Sequence, residues 1–210
     1  MSTTIAPAPA RSDDTTTGTP VSTRTVRRTG VAVAAAAALW SATFIAFDPQ
    51  TTDPAGMTLV DLGQLPAQLA LFGLVTLQLR TSATGVGRFA RGMLKAEFGL
   101  LGLATLWTVL HAFVPAIRDD LWMMILDAFW PLSMLGMFVI GVKIAFAGRW
   151  RGPVRFWPLV AESWAVVSVP AMIILGSTGG RYVGSIHLLA GYATLGVLLA
   201  LRPHLTGARD

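Results

Sequence analysis

Long apolar stretches alternate with short polar segments along most of the chain. From residue 30 onward, six stretches of about 18 to 26 residues are dominated by apolar side chains. An α-helix needs about 20 predominantly apolar residues to cross the hydrocarbon core of a bilayer. The pattern therefore predicts an all-α integral membrane bundle of six transmembrane helices, with spans at about 30–47, 57–79, 93–115, 121–146, 155–175 and 181–201.

Polar segments flank this predicted membrane domain of residues 30–201. Residues 1–29 are rich in Thr, Ser and Pro, and they contain almost no large apolar residue. Such a segment buries too little apolar surface to fold, so we predict a disordered tail. Three arginines before the first apolar stretch also occur in signal peptides, but we favour an uncleaved first span. Residues 202–210 form a short second tail.

Composition supports the membrane assignment. The chain is 53% hydrophobic and 13% charged, whereas soluble domains carry about 25% charged residues. The net charge of +5 lies in turns between apolar stretches, so the expected partner is the lipid bilayer and not nucleic acid. The absence of cysteine excludes disulfides, thiolate metal sites and a cysteine nucleophile. Arginine outnumbers lysine 14 to 2, which indicates a GC-rich bacterial genome and hence a bacterial plasma membrane.

The basic residues also predict the orientation of the bundle. With six spans, 14 of the 16 Lys and Arg residues fall on one side, and only Arg118 and Arg181 fall on the other. Asp48, Asp53, Asp119 and Asp120 accompany those two arginines. Positive charge is concentrated in cytoplasmic loops. Both termini are therefore predicted to be cytoplasmic.

A polar stripe runs along the predicted third span. Glu97 and His111 are 14 positions apart, which leaves them about 40° apart around a helix, and Thr108 falls in the same sector. Lipid would destabilise these groups, so we expect the stripe to face protein or water.

The depths of the other ionisable residues predict two clusters. The inner cluster comprises Glu97, Lys143 and Glu162. Two neighbouring carboxylates could bind a proton or a cation. Alternatively, Lys143 neutralises the glutamates and ties three spans together.

The outer cluster comprises Asp61, Gln64, His111, Asp127 and His187. These side chains include metal-ligand types, with His111, His187 and Asp127 as candidate ligands. His111 and His187 could alternatively be the axial ligands of a haem. A third interpretation is a polar network that lines a water-filled vestibule.

Three classes of function remain open at this point, and no catalytic motif favours an enzyme. The first is a small solute or proton transport protein, or a subunit of a membrane complex. The second is a haem- or metal-binding redox protein that uses His111 and His187. The third is a regulatory protein whose basic cytoplasmic face binds a soluble partner or anionic lipid. A homo-oligomer or a partner within a membrane complex is compatible with each class.

Overall fold

The computed structural model describes residues 21–210, and this part of the chain is all-α, without a strand. Its helices are α1 (Thr23–Ala46), α2 (Pro54–Arg80), α3 (Arg88–Phe113), α4 (Leu121–Asp127), α5 (Phe129–Ala147), α6 (Pro153–Glu162), α7 (Trp164–Leu188) and α8 (Thr194–Leu201). A π-helical segment, Leu189–Ala193, joins α7 to α8. Short 3₁₀ helices cover Pro115–Ile117 and Pro203–Thr206.

Five helical stretches in residues 21–210 are long and apolar enough to cross a membrane: Thr23–Ala46, Pro54–Arg80, Arg88–Phe113, Leu121–Ala147 and Pro153–Leu201. These stretches are compatible with a multi-pass membrane protein. The last of them has 49 residues, about 74 Å if it were straight and about twice what a bilayer requires.

The long last stretch reverses direction at Gly176. The backbone there has φ 71° and ψ 178°, a conformation that glycine adopts without steric cost. The indole of Trp164 donates a hydrogen bond to the carbonyl of Gly184 at 3.0 Å. Those residues would be about 30 Å apart in a straight helix. The two halves of the stretch therefore lie side by side.

One end of the bundle collects the arginine-rich segments, and we call it the basic end. There the indole of Trp150 donates to the Thr81 hydroxyl at 3.0 Å. The Arg151 amide donates to the Leu205 carbonyl at 2.9 Å, and the Arg209 amide donates to the Val21 carbonyl at 3.1 Å. The turns after α2 and α5 thus meet the two terminal segments.

The opposite end, the acidic end, holds the other connections. Arg118 donates to the Thr58 hydroxyl at 2.7 Å, which joins the turn after α3 to the start of α2. The Ser177 hydroxyl donates to the Asp48 carboxylate at 2.6 Å, which joins the Gly176 reversal to the turn after α1. This bond, with a second from the Gln50 amide, lowers the pKa of Asp48.

The helices pack in a closed order around a common core. Helix α1 contacts α2, α7 and α8, and then α2 contacts α3, α3 contacts α5, α5 contacts α6, and α6 contacts the π-helical segment and α8. Glycines permit a close crossing of α1 and α8: a Cβ on Gly30 would lie 2.5 Å from the Gly196 carbonyl oxygen. Small residues of this kind let helices approach closely where no hydrophobic effect drives them together.

Several boundaries differ from those predicted from the sequence: α2 begins three residues earlier, α3 begins five residues earlier, and the predicted fifth span is divided at Ser163. Helix α1 begins at Thr23 and not at residue 30, because the Ser22 hydroxyl caps it by accepting from the Thr25 amide at 3.2 Å. The remainder of the predicted disordered tail, residues 1–20, lies outside the described residues. The predicted fourth span is interrupted at Ala128, because Pro131 has no N–H to donate to the carbonyl of Asp127.

Candidate functional site

Glu97 lies on the buried face of α3, where 1% of its surface is exposed. The Ser133 hydroxyl on α5 donates to Glu97 Oε1 at 2.6 Å. Glu97 Oε2 is buried and has no partner among residues 21–210. Gly136, one turn after Ser133, leaves the room for this oxygen, because a Cβ there would lie 2.1 Å from it. The sequence of α5 thus accommodates the glutamate of α3.

Glu162 is the last residue of α6 and is 1% exposed. The Tyr192 hydroxyl donates to Glu162 Oε2, and Glu162 Oε1 is buried without a partner among residues 21–210. Tyr192 belongs to the π-helical segment, a distortion that is frequent at functional sites. Gly141 of α5 makes room here too, since its Cβ would lie 3.2 Å from Glu162 Cγ.

The two glutamates share one neighbourhood. Both border α5, Glu97 at Gly136 and Glu162 at Gly141, and these glycines lie about 7.5 Å apart along the helix. The Gln78 amide is also a neighbour of Glu162. Gln78 is fully buried, and neither atom of its amide has a hydrogen-bond partner within 3.5 Å among residues 21–210. We call Glu97, Glu162, Gln78, Ser133 and Tyr192 the glutamate cluster.

The structure does not bring Lys143 into this cluster, which corrects the predicted grouping of Lys143 with the two glutamates. Its side chain is exposed, and within residues 21–210 no carboxylate lies within 4.0 Å of it. The buried face of α5 contains Ser133, Met137, Ile140 and Ile144. Lys143 lies about 160° around α5 from Gly141, which borders Glu162, and two turns along the helix from Gly136, which borders Glu97. It therefore points away from Glu162 and lies about 10 Å along the helix axis from the level of Glu97.

Part of the predicted outer cluster does assemble near the acidic end. His111 Nδ1 lies 2.6 Å from Asp61 Oδ2, and this is the sole ion pair with N···O within 4.0 Å among residues 21–210. The Trp107 ring stacks on the imidazole, with centroids 4.7 Å apart. Gln64 donates to the second oxygen of Asp61 at 3.4 Å. Helices α2 and α3 thus hold a carboxylate and an imidazole that satisfy each other.

Arg118 completes the Asp61–His111 region. Its guanidinium donates to the His111 carbonyl at 2.8 Å and to the Pro54 carbonyl at 3.2 Å, in addition to the Thr58 hydroxyl. These hydrogen bonds link the turn after α3 to the end of α3 and to the start of α2, next to the Asp61–His111 pair. The positive-inside count already marked Arg118 as unusual, because it is one of only two basic residues predicted outside.

Asp127 and His187, the remaining members of the predicted outer cluster, lie apart from the Asp61–His111 pair. Asp127 is exposed on α4, where His111 acts on it electrostatically without a hydrogen bond. His187 Nε2 lies 3.1 Å from the Ser163 hydroxyl, which itself donates to the Val160 carbonyl at 2.8 Å. The Ser163 hydroxyl therefore donates its hydrogen bond to a backbone carbonyl. An activated serine nucleophile would instead donate to its base.

The geometry gives no support to a shared metal or haem. In residues 21–210, no three His, Asp or Glu side chains converge as a metal-ligand group. His111 is bound to Asp61 on α2, whereas His187 is bound to Ser163 at the junction of α6 and α7. The two imidazoles thus have separate partners on separate pairs of elements.

Sequence reasoning missed three members of the glutamate cluster, namely Gln78, Ser133 and Tyr192. Each continues a stripe of buried apolar residues. Gln78 follows Leu71 and Leu74, and Tyr192 stands between Leu188 and Leu195. A polar residue at a position where the helical period predicts a buried apolar residue is the sequence signal that would have identified these three residues.

The glutamate cluster contains carboxyl, phenol, hydroxyl and amide groups, all deeply buried. Two carboxyl oxygens remain without a partner, and no Lys, Arg or His pairs with them in the described part of the chain. Such a set of groups can bind and exchange protons.

The chain matches no known family model, no curated protein and no solved structure.

Proposed function

We propose that this protein is a six-span protein of the bacterial plasma membrane that binds and transfers protons through Glu97 and Glu162, as a small proton-coupled transport protein or as a subunit of a membrane complex. The observation that carries the proposal is the burial of both carboxyls, each 1% exposed, without a cationic partner in residues 21–210.

The low-dielectric surroundings favour the protonated over the ionised form of the two glutamates. An isolated carboxylate is strongly disfavoured in a low-dielectric interior, where it takes up a proton instead. Ionisable groups inside transmembrane bundles mark ion pathways and proton relays. Each glutamate has one oxygen supported by a hydroxyl and one oxygen without a partner. The unpartnered oxygens, Glu97 Oε2 and Glu162 Oε1, are the ones that would receive the proton.

The six-span topology is part of the same proposal. It is supported by the reversal at Gly176, which divides the longest apolar stretch into two lengths of about 23 and 25 residues. It is also supported by the alternation of the connections between the basic and the acidic ends. The positive-inside rule then places the basic end, and both termini, in the cytoplasm.

A charge-movement measurement tests the proposal without knowledge of the solute. Proteoliposomes on a solid-supported membrane would receive a rapid pH step in sodium-free buffer. Proton binding within the bilayer should produce a transient current, because charge moves through part of the membrane field. We expect Glu97→Gln and Glu162→Gln each to reduce this current strongly and the double variant to abolish it.

Two controls make the charge-movement result specific. Asp119→Asn removes a carboxyl from the turn at the acidic end and should leave the current unchanged. Lys143→Gln should also leave it unchanged, because Lys143 lies outside the glutamate cluster. A wild-type protein without a transient, or a current of full size in the double glutamate variant, would refute the proposal.

A further inference from the structure

A cleft of about 220 Å³ opens between α1 and α2 near the basic end. Residues lining it include Thr25, Thr29, Phe72, Gly73, Thr76 and Arg80. Gly73 contributes no side chain, and even a Cβ there would come no closer than 3.7 Å to Thr29. The cleft therefore stays open along its length and faces outward, since Thr25, Thr76 and Arg80 are exposed.

The cleft changes from basic to apolar along the bundle axis. Arg80 ends α2, and Thr25 lies in the first turn of α1, so both belong to the basic end. Gly73 and Phe72 lie about 10 to 12 Å deeper, at 1.5 Å per residue. A charged mouth with an apolar inner part has the polarity of a phospholipid, whose headgroup and acyl chain are separated over a similar distance.

Two threonine hydroxyls of the cleft have no hydrogen-bond partner among residues 21–210. Thr81, Thr105 and Thr108 each donate to the carbonyl four residues earlier, at 2.7 to 3.1 Å. Thr29 and Thr76 form no side-chain hydrogen bond with any of residues 21–210. A hydroxyl in a bilayer gains from a partner, and the ester or phosphate oxygen of a lipid can accept from both.

The charge at the mouth of the cleft is positive. Arg80 has no carboxylate within 4.0 Å among residues 21–210, and Arg24 and Arg28 are exposed one turn apart on α1. The Asp210 carboxylate near this end accepts from Thr23, which lies about 160° around α1 from Thr25. Arginine binds phosphate through charge-assisted, bidentate hydrogen bonds.

We infer that the α1–α2 cleft binds one anionic phospholipid of the cytoplasmic leaflet. The phosphate lies at Arg80, the glycerol ester oxygens accept from Thr29 and Thr76, and an acyl chain passes over Gly73 beside Phe72. The inference uses the membrane embedding of the proposed function but not the glutamate cluster. A glutamate variant without charge movement should therefore bind the lipid as well as the wild type does.

Native mass spectrometry of the full chain tests this site. The detergent-purified protein would be titrated with equal amounts of phosphatidylglycerol and phosphatidylcholine. We expect one phosphatidylglycerol to be retained in preference. Arg80→Gln should weaken its binding about tenfold through loss of a charge-assisted contact. Gly73→Leu should fill the cleft and abolish retention of the lipid.

Arg88→Gln is the matched control, because Arg88 is also exposed at the basic end but does not line the cleft. Its binding should equal that of the wild type, and all variants should keep the wild-type melting temperature in lipid-free detergent. Equal retention of the two lipids would overturn the inference, as would equal losses for Arg80→Gln and Arg88→Gln. Thermal stabilisation by inorganic phosphate as large as that by phosphatidylglycerol would overturn it too.

Discussion

The glutamate cluster and the Asp61–His111 pair differ in how the protein stabilises their buried carboxyl groups. Both place carboxyl groups on the buried faces of helices, and Asp61 is 3% exposed against 1% for each glutamate. Asp61 has an imidazole at 2.6 Å and a glutamine amide beside it. Within residues 21–210, Glu97 and Glu162 each accept one side-chain hydrogen bond, from a hydroxyl.

This difference separates a structural site from a site that can change its state. A buried carboxylate paired with a cation is satisfied, and its loss mainly damages the fold. A buried carboxyl without a cation must gain or lose its proton when its surroundings change, and this is the behaviour that proton transfer requires. We therefore expect substitutions in the two regions to change the free energy of unfolding by different amounts.

The largest expected effect is on the ion pair. His111→Ala would leave the Asp61 carboxyl buried without its imidazole partner, and we expect the free energy of unfolding to fall by about 3 kcal/mol. Thermal unfolding followed by tryptophan fluorescence would measure it. The double variant Asp61→Asn with His111→Ala should recover most of this loss. Equal destabilisation of the single and double variants would mean that the pair carries no mutual stabilisation.

A smaller loss is expected for Tyr192→Phe. This change removes the hydroxyl that Glu162 accepts from and leaves both oxygens of the carboxyl without a partner, at a cost of about 2 kcal/mol. Tyr182→Phe is a matched control, because Tyr182 is exposed on α7 and should change stability by less than about 0.5 kcal/mol. The same unfolding assay applies, and equal shifts for the two variants would contradict the role given to Tyr192.

A conservative change in the glutamate cluster should cost still less. Glu97→Gln keeps the shape of a protonated carboxyl and its acceptor for Ser133, so we expect a loss of about 1 kcal/mol or less. Asp61→Asn should cost more, because it breaks an ion pair. If Lys143 neutralised Glu97 instead, Glu97→Gln and Lys143→Gln would both destabilise the protein substantially. Chemical denaturation of the three variants side by side decides between these outcomes.

The smallest effect is expected at the acidic end, outside the spans. The Ser177 hydrogen bond lowers the pKa of Asp48, below its unfolded value of about 4. The resulting stabilisation is therefore present above pH 4 and is lost as the pH falls through the lowered folded pKa. Ser177→Ala should reduce stability by a few tenths of a kcal/mol at neutral pH. Melting curves of variant and wild type should converge in acid, and a constant difference would contradict the linkage.

The all-α class and the presence of several long apolar helices could be predicted from the sequence, because hydropathy and helix length are local properties. Six stretches were predicted, whereas residues 21–210 contain five that are long and apolar enough to cross a membrane. The sequence also predicted that the polar stripe of α3 faces the protein, and Glu97 and Thr108 are indeed buried. Whether the six predicted stretches all cross a bilayer remains part of the proposal.

The partners of each polar residue were harder to predict than its depth. Depth follows from counting residues, whereas partners depend on the rotation of each helix and on packing. Counting residues placed Lys143 near Glu97 and Glu162, yet α5 presents Ser133 and Gly136 to Glu97, and Lys143 lies two to three turns further along that helix. His111 and His187 were grouped by depth alone, and within residues 21–210 their helices, α3 and α7, do not pack side by side.

Infrared spectroscopy of protein with ¹³C-labelled glutamate, reconstituted in lipid near neutral pH, would report whether Glu97 and Glu162 carry protons. We expect the carbonyl stretch of a protonated carboxylic acid, reduced in Glu97→Gln, reduced in Glu162→Gln, and unchanged in Lys143→Gln. A wild-type spectrum that shows only carboxylate bands for the labelled glutamates would mean that both are ionised. The proton-binding role of the glutamate cluster would then be wrong.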